Sequence, residues 1–512
     1  MSQLPRLPDI RGCILLDDAA LAPYASASGP VSIPPMACVQ PYDAQDLSTV
    51  LSWAQLEGIS VIPRGAGTGM PGGNVGPGLA IDLSVGFTEI GEPQTDDHTI
   101  KVGAGAIAAD VEQAARSVQR FLPPLPSSAH RCTVGGMIAN NAAGARTYKY
   151  GAIRDWVREL DLVLADGSQE HVVRGGGGTK AFSPLHQALR KLLGDDGPRS
   201  WPSVRKNSSG YALDRYMPGG DPIELVIGSE GTLALVTSVT LDLASIPEAT
   251  GLALLAVRGL DDLPAVLEEA SRLEAAACEF FGRRFLEVTS MGTHPLVGPT
   301  VSDAAAAFLI ELDGSTDQVA SGIEALRTLG HELGSPPITA MGEVERNTLW
   351  ELRHAASPLI AACANRGLVS TQIIEDSVVP PESLGRYLTE LEAILARWQT
   401  DAVIFGHAGD ANVHVNPLLD VTHLDWRGRA RGILEDTADL VARLGGTLSG
   451  EHGDGRIRAP LLERIWGAPL TEAFWLVKEA LDPAGTLNPG VILPRPGQDP
   501  LEGLWPQHGG LS

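Results

Sequence analysis

The chain has 512 residues, of which 44% are apolar, so it has enough material to build large cores in two or more globular domains. Its 38 basic and 62 acidic side chains give a formal net charge of −24, and most of the surface would repel a phosphate-rich polymer. Nucleic acid is therefore excluded as an expected partner.

The N-terminal sequence MSQLPRLPDI has no charged-then-apolar signal pattern, and no run approaches the roughly 18 apolar residues of a transmembrane segment. The five cysteines are scattered, without the CxxC spacing of a zinc or iron–sulfur site. These features predict a reduced, cytoplasmic protein without a transmembrane segment. Peripheral contact with a membrane stays open.

The first predicted elements surround a glycine-rich loop. Helical periodicity in DLSTVLSWAQLEG precedes the strand-like SVIP, and RGAGTGMPGGNVGPG then leads into the strand LAIDLS. Such a loop lets backbone N–H groups converge on phosphate oxygens. It is not a dinucleotide fingerprint of the Rossmann type, because the third glycine falls on Met70. A flexible surface loop is the alternative.

A second cluster, at 126–157, is poor in bulky residues and would admit a flat ligand. Backbone and amide groups at five positions would supply donors and acceptors: Gly135, Gly136, Asn140, Asn141 and Gly144. Pro126 and Ser127 would contact one edge of a ring system. A third element, IGSEGTLALVT, is a tight turn that runs into a strand. Each element alone is compatible with ordinary turn chemistry, but the three in this order are specific.

The second half begins with a strand and a helix, twice. LALLAV at 252–257 precedes a helix at about 262–273, and FLIEL at 308–312 precedes one at about 318–333, which predicts an α+β sandwich. A further amphipathic helix places Arg353 and Ser357 four residues apart on one face. An arginine there would bind a carboxylate through two parallel hydrogen bonds. The alternative is that Arg353 is an ordinary surface residue.

The stretch GHAGDANVH contains two histidines between which turn residues are concentrated. Strand-like residues precede His407 and surround His414, which predicts a hairpin with the two imidazoles opposite each other, about 5 Å apart at Cβ. GEHGDG then adds Glu451 and His452, which would point in opposite directions in an extended segment.

We therefore expect a divalent metal on His407, His414 and Glu451, with an open position for a substrate oxygen and with His452 moving a proton. Zinc is the first choice, and manganese or iron suits the same ligands. Histidines with purely structural hydrogen bonds are the alternative.

Six motifs carry a resemblance to a known family: PRGAGTG, TVGGMIANNAAG, GSEGTLALVT, GHAGDANVHVN, SGEHGDG and LDPAGTLNPG. The chain resembles the FAD-dependent D-2-hydroxy-acid dehydrogenases of the vanillyl-alcohol oxidase type. That branch includes D-lactate dehydrogenases, the glycolate oxidase catalytic subunit and D-2-hydroxyglutarate dehydrogenase. The resemblance implies an α+β protein with a two-part FAD-binding domain, an α+β substrate (cap) domain and a C-terminal segment that returns to the flavin.

The implied domain bounds are an N-terminal extension at 1–36, an FAD-binding domain at 37–245, a cap at 246–435, a C-terminal helical segment at 436–495 and a tail at 496–512.

The resemblance also assigns the FAD contacts. The pyrophosphate would bind the first loop, formed by Arg64, Gly65, Ala66, Gly67, Thr68 and Gly69. The isoalloxazine would lie near Gly135, Gly136 and Asn141, with Asn488 at its edge. The adenosine would meet the third element, through Gly228, Glu230, Gly231, Thr232 and Val236.

For the substrate, the family implies that Arg353 grips the carboxylate, with Ser357 on the same face, and that Asn416 contacts the acid. D-2-hydroxyglutarate dehydrogenases have a lysine where an ungapped match places Ile374. A monocarboxylate such as D-lactate, or an acid with a more apolar side group, is therefore favoured over D-2-hydroxyglutarate. Glycolate stays an alternative.

The implied reaction is metal-assisted oxidation to the 2-oxo acid. The metal would stabilise the alkoxide on C2, His452 would take the hydroxyl proton and C2 would give a hydride to flavin N5. The sequence after Leu493 has no cysteine, so electrons would pass to a separate quinone, cytochrome or electron-transfer flavoprotein. A homodimer is compatible with these features. The alternatives are a non-redox ether-lipid synthase of the same class and a noncatalytic flavin-binding subunit of a larger oxidase.

Overall fold

A computed structural model describes residues 5–195, 197–198, 200–290, 301, 304–354, 360 and 367–504. Three main sheets organise these residues, and helices cover or connect them. Within this part of the chain, no helix combines the length and the apolar character that crossing a membrane requires.

The first sheet positions the glycine-rich loop. Its strands run in the order β1, β2, β4, β3, with β2, β4 and β3 parallel and β1 antiparallel. Their bounds are β1 (Cys13–Leu15), β2 (Ala37–Gln40), β3 (Val61–Arg64) and β4 (Leu79–Asp82), and the helices are α1 (Asp18–Leu21) and α2 (Ala44–Glu57). Helix α2 begins at the Asp43 cap and ends at Gly58, whose φ of 65° suits glycine. The loop leaves the carboxyl end of β3.

The second sheet is antiparallel, in the order β5, β9, β7, β8, and β6 pairs separately with β10. The strands are β5 (Thr99–Gly103), β6 (Arg120–Phe121), β7 (Val157–Leu164), β8 (Gln169–Val173), β9 (Ala234–Asp242) and β10 (Ala244–Ser245). The helices here are α3 (Ala108–Arg116), α4 (Val134–Ala139), α5 (Thr147–Tyr150), α6 (Ser183–Leu193), α7 (Leu213–Tyr216) and α8 (Pro222–Val226).

The third sheet is the largest and is antiparallel, in the order β14, β11, β13, β12, β17, β18, β15, with β16 also on β18. Its strands are β11 (Ala249–Val257), β12 (Ala277–Gly282), β13 (Ala306–Gly314), β14 (Ile338–Ala340), β15 (Val369–Ser370), β16 (Ile374–Val378), β17 (Asp401–His407) and β18 (Asn412–Leu419). The helices are α9 (Leu263–Arg272), α10 (Arg283–Ser290), α11 (Thr316–Glu332), α12 (Glu343–His354), α13 (Leu384–Arg397) and α14 (Trp426–Arg443). The α+β sandwich predicted from two strand–helix pairs is confirmed.

The two faces of this sheet differ. Helices α9, α11, α13 and α14 cover one face in a continuous apolar core. Alternate residues of β12 and β17, among them Phe281 and Phe405, point to the other face, toward α10 and α12. Because side chains alternate along a strand, Glu279 and His407 lie on this second face as well.

The C-terminal segment returns to the first two sheets, as predicted. It contains α15 (Gly455–Arg458) and α16 (Leu462–Leu481), with a break at Gly467, whose φ is 73°, just before Pro469. Phe474 packs edge-on against Tyr211, and apolar residues of α16 and of 487–493 complete the core of residues 37–243.

Candidate active site

One cavity of about 890 Å³ lies between residues 28–236, in the part of the chain that forms the first two sheets, and the third sheet. The structure brings most of the predicted FAD-binding residues to its wall: Arg64, Gly65, Ala66, Gly67, Thr68, Gly69, Pro126, Ser127, Gly135, Gly136, Asn140, Gly144, Glu230, Gly231 and Val236. The predicted metal ligands, Arg353, Asn416 and His452 line the same cavity.

Four predicted FAD-binding residues lie behind the wall instead: Asn141, Gly228, Thr232 and Asn488. Their polar groups form hydrogen bonds with other groups of the protein, because buried amides and hydroxyls need partners. Asn488, for example, donates from Nδ2 to the carbonyl of Glu230 at 2.8 Å. These residues support the cavity wall and do not face the cavity.

The first glycine-rich loop has backbone N–H groups that suit an anion such as a pyrophosphate. Within the described residues, no acceptor is found for the backbone N–H groups of 66–69, so these donors are free for an anion. Gly67 has a φ of 74°, and a Cβ there would lie 2.4 Å from the Arg64 guanidinium. The Arg64 guanidinium donates to the backbone carbonyls of Pro23 and Ser26. These bonds tie the start of the loop to residues 23–26.

The two histidines lie on a hairpin, as predicted, but they are not directly opposite. In the register of β17 and β18, His414 faces Phe405 and His407 faces Asn412, so the histidines are diagonal neighbours on one face. The turn between the paired strands comprises the four residues 408–411, whereas directly opposite histidines would be separated by the six residues 408–413. The ring centroids are nevertheless only 5.1 Å apart.

Three buried donor atoms converge at these rings. His407 Nε2 lies 3.2 Å and His414 Nε2 3.4 Å from Glu451 Oε1. On the far side of each ring, His407 Nδ1 contacts Glu279 Oε1 at 2.6 Å and His414 Nδ1 donates to the carbonyl of Glu375 at 2.7 Å. Because Nδ1 is occupied in both rings, both Nε2 atoms are left for a cation.

The second oxygen of Glu451 has its own partner. Oε2 accepts from Nζ of the fully buried Lys206 at 2.9 Å. Burial raises the pKa of Glu451, but Lys206 and His407 outweigh it and hold that pKa well below the ordinary value. An ionised Glu451 with two imidazoles makes a donor set that suits a divalent cation.

Glu451 and His452 both reach this cluster, so the prediction that they point in opposite directions is wrong. The segment bends here and is not extended. His452 Nε2 lies 3.5 Å from Glu451 Oε1, and its ring stacks on that of His414 at 5.3 Å. Burial lowers the pKa of His452, but Glu375 and Asp376 outweigh burial and raise it to about 10.

A second group of donors, formed by Glu375, His414 and His452, lies beside the first. The oxygens of Glu375 are already paired, one with His452 Nδ1 and the other with Arg458. The first group, in which Glu451 Oε1 faces both Nε2 atoms, is therefore the better cation site.

Arg353 lies at the end of α12, in the cavity wall and not on the open surface. Its Nε donates to Glu279 Oε2 at 2.7 Å, and its guanidinium lies 4.7 Å from the centre of the Phe405 ring. Asn416 lies two residues after His414 on the same face of β18, and both residues line the cavity. Ser357 lies outside the described residues.

Sequence reasoning missed four buried charged residues that organise the site: Lys206, Glu279, Glu375 and Asp376. The Oδ2 atom of Asp376 accepts from the backbone N–H of Glu451 at 3.0 Å and of His452 at 2.8 Å. The available signal was a charge inside an apolar strand, as in ACEFFG and TQIIEDSVVP.

Comparison with known proteins identifies the family. Residues 35–172 match the FAD binding domain family, and residues 246–492 match the C-terminal domain of FAD linked oxidases. The glycolate oxidase subunit GlcD of Bacillus subtilis is 30% identical over 89% of this chain and 88% of its own length. The chain belongs to the FAD-linked oxidases, in the 2-hydroxy-acid dehydrogenase branch.

Other members of this branch are equally similar. A D-lactate dehydrogenase of Archaeoglobus fulgidus is 30% identical over 89% of this chain and 90% of its own length. A D-2-hydroxyglutarate dehydrogenase of Xanthomonas citri pv. viticola is 30% identical over 90% and 89%. As an FAD-linked oxidase of this branch, the protein is an FAD-dependent oxidoreductase.

Two solved structures share the fold. A p-cresol methylhydroxylase with substrate bound superposes with a TM-score of 0.68 at 14% identity, over 95% of both chains. A 4-ethylphenol oxidase from Gulosibacter chungangensis gives 0.68 at 16% identity, over 96% of this chain and 94% of the other. The vanillyl-alcohol oxidase type of architecture predicted from the motifs is confirmed.

Proposed function

We propose that this protein oxidises a D-2-hydroxy acid to the 2-oxo acid, with FAD as the hydride acceptor and a divalent cation on His407, His414 and Glu451. The observation that carries the proposal is that the cation donors, Arg353 and the glycine loop fitted to FAD all line one cavity. The names of the relatives agree, since they are dehydrogenases and oxidases of lactate, glycolate and hydroxyglutarate.

Two neutral imidazoles and one carboxylate would leave a divalent cation with about one net positive charge, which polarises a substrate hydroxyl. Zinc is the first choice, and manganese or iron suits the same donors. Both Nε2 atoms lie within 3.4 Å of Glu451 Oε1, so little rearrangement would be needed to bind a cation there.

His452 is the group that would accept the hydroxyl proton, at Nε2. Its Nδ1 is bound to Glu375, which fixes the ring beside the cation donors. Glu375 and Asp376 raise the pKa of His452, and a cation held by the neighbouring Glu451 would repel a proton on His452 and lower that pKa. Nε2 would then be free to act as a base.

Arg353 would hold the substrate carboxylate. Its Nε is fixed by Glu279, so the terminal nitrogens of the guanidinium would be presented to the acid in a fixed orientation. Such fixing would set which face of C2 meets the flavin, and it would therefore select one enantiomer.

The substrate end of the cavity favours a monocarboxylate, such as D-lactate or an acid with a larger apolar side group. Trp350, Leu368 and Phe405 line it. Ile374, the position matched to the lysine of D-2-hydroxyglutarate dehydrogenases, points into the core on the other face of the sheet, and the nearby Gln372, which lines the cavity, carries no charge. A second substrate carboxylate would find no lysine at either position.

The electrons would pass to a separate acceptor, such as a quinone, a cytochrome or an electron-transfer flavoprotein. Within the described residues, no cysteine belongs to a group of potential metal ligands that could hold an iron–sulfur cluster.

The test is anaerobic reduction of the bound flavin, followed by its absorbance, with D-lactate, glycolate, D-malate, D-2-hydroxyglutarate and longer apolar D-acids. The matching L-acids are the controls. We expect a D-monocarboxylate to bleach the flavin, chelation to stop the bleaching while FAD stays bound, and added Zn²⁺ to restore it. If dithionite bleaches the flavin but no hydroxy acid does, the protein is a noncatalytic flavin-binding subunit.

A further inference from the structure

The SGEHGDG loop, residues 449–455, carries Glu451 and His452 and is held from two sides. On the side of the third sheet, Asp376 makes the contacts: its Oδ2 accepts from the N–H groups of Glu451 and His452, and its carbonyl accepts from Gly450 N at 3.1 Å. These bonds fix the loop to the strand next to the hairpin.

On the side of the first domain, other residues bind the same loop. Asn140 Nδ2 donates to the carbonyl of His452 at 2.7 Å, and Ser208 Oγ donates to that of Gly450 at 3.1 Å. Asn140 also lines the cavity that fits FAD. The position of the cation donor Glu451 therefore depends on the flavin-binding domain as well as on the cap.

Glu230 makes a further set of contacts with this loop. Its buried carboxylate accepts from Asp454 N at 2.7 Å and from Gly455 N at 3.1 Å, and it lies so close to Gly453 that a Cβ there would be 2.6 Å from Cδ of Glu230. Gly453 has a φ of 87°, so both its conformation and this close approach require glycine.

The backbone of Glu230 belongs to the flavin side. It forms part of the tight turn that lines the cavity with Gly231, and its φ is 50°. Its N–H donates to the carbonyl of Ala139 at 2.7 Å, at the end of helix α4, and its carbonyl accepts from Asn488. Helix α4 begins at the TVGG segment, whose glycines also line the cavity.

We propose that Glu230 is a positioning residue that couples FAD binding to cation binding at His407, His414 and Glu451. This inference rests on the proposed function, because it requires a cation at that site. FAD held against the turn of Glu230 fixes the turn, the carboxylate fixes the loop, and the loop holds Glu451 at the histidines. By thermodynamic reciprocity, a bound cation must then strengthen FAD binding by the same factor.

The size of the coupling between FAD and cation binding depends on the hydrogen bonds that the Glu230 side chain accepts from the loop. The N–H groups of Asp454 and Gly455 share one buried carboxyl group, and its removal would leave both buried donors without that acceptor. Coupling between sites is typically about 5 to 150-fold. We expect the full protein to release FAD about 10-fold less readily when Zn²⁺ is bound.

The experiment compares FAD dissociation, followed by flavin fluorescence, from the full-length holoprotein in its metal-free and Zn²⁺-loaded forms. In the wild-type protein the two dissociation constants should differ about 10-fold. Glu230→Ala removes both acceptor oxygens and should reduce the ratio to about one. Glu230→Gln keeps one acceptor oxygen and should give an intermediate ratio, which a general loss of packing would not produce.

Glu112→Ala is the matched control. Glu112 lies in the same domain and also accepts from a backbone N–H, that of Leu122 at 2.7 Å, but it does not touch the loop. It should keep the wild-type ratio. A wild-type ratio of one in protein that binds Zn²⁺ and is reduced by the acid would overturn only this coupling, as would Glu230→Ala with the full ratio. Failure of the wild-type protein to bind Zn²⁺ would remove the proposed cation site as well.

Discussion

Arg353 and His407 bind the two oxygens of one buried carboxylate, that of Glu279: Arg353 Nε lies 2.7 Å from Oε2, and His407 Nδ1 lies 2.6 Å from Oε1. Burial raises the pKa of Glu279, but His407 and Arg353 outweigh burial and lower it to about 2. One anion therefore orients both the group proposed to hold the substrate carboxylate and a ligand proposed to hold the cation.

Glu279→Gln should impair both functions together. A neutral amide is a weaker partner for the guanidinium and for the imidazole N–H. Mutation of a residue that hydrogen-bonds to a metal ligand lowers metal affinity or activity by about 10 to 100-fold. We expect weaker Zn²⁺ binding and a higher KM in the same variant, measured by chelator competition and by flavin reduction. Asp436→Asn, which removes an acidic partner of Arg397 outside the cavity, is the control and should change neither. A change in KM with unaltered zinc affinity would show that Glu279 serves Arg353 alone.

His414→Gln should abolish bound zinc and slow flavin reduction by more than about 100-fold, because a direct ligand should matter more than an outer partner. FAD content should remain high, since His414 does not belong to the glycine loop. Metal analysis and stopped-flow absorbance measure the two effects. His186→Gln, at a histidine bound to the carbonyl of Met217, is the matched control. Wild-type reduction rates in His414→Gln would exclude a cation from the reaction.

Arg353→Lys should lower kcat/KM for the D-acid by about 10 to 100-fold, since a hydrogen bond to a charged group contributes about 1.5 to 3 kcal/mol. Lysine cannot present the two parallel N–H donors that a guanidinium offers to a carboxylate. The lysine also leaves Glu279 less well paired. Steady-state kinetics with D-lactate and an artificial acceptor provide the measurement. Arg346→Lys, on the same helix, replaces an arginine that donates to the carbonyl of Thr250 and should behave as wild type. Equal kinetics in both variants would argue against a carboxylate on Arg353.

Glu230 should make stability fall as the pH rises. Burial and the neighbouring Asp454 raise the pKa of Glu230 from its ordinary value of 4.5 to about 8. Between these two values the unfolded chain has released a proton that the folded protein still holds, so each pH unit costs at most about 1.4 kcal/mol of stability. The loss is complete above pH 8, and below pH 4.5 there is none.

Glu230→Gln removes this titration. The Tm of wild type relative to that of Glu230→Gln should therefore decrease from pH 5 to pH 8, as measured by thermal unfolding of metal-free holoprotein. Glu112→Gln serves as the reference for loss of a carboxylate elsewhere in the domain. A wild-type Tm that rises relative to Glu230→Gln over this range would mean that Glu230 is ionised in the folded state.

Much of the fold could be read from the sequence because it depends on periodicity and turn chemistry. The strand–helix pairs at 252–273 and 308–333 agree with β11, α9, β13 and α11 to within a few residues. The hairpin of His407 and His414 was also predicted, but its register was not, since the register is set by the residues of the turn and by pairing with β12 and β16.

The site was only partly predictable, for a physical reason. Histidines and glycines in unusual motifs can be recognised in the sequence. Glu279 and Lys206 are common residue types, and their role in the site comes only from burial beside an opposite charge. Lys206 and Glu451 are 245 residues apart, and only the folded chain brings them together. Asn488 and Thr232 show the opposite error, because residues within a cofactor motif can face away from the cofactor.

The return of α16 has a consequence for synthesis. Leu470, Phe474 and Val477 complete the core of a domain that begins near Ala37, so the N-terminal half still exposes an apolar surface when it leaves the ribosome. That surface is covered only after α16, residues Leu462–Leu481, has been translated. The cavity wall also includes Glu451 and His452, so it too is incomplete until this part of the chain has been made.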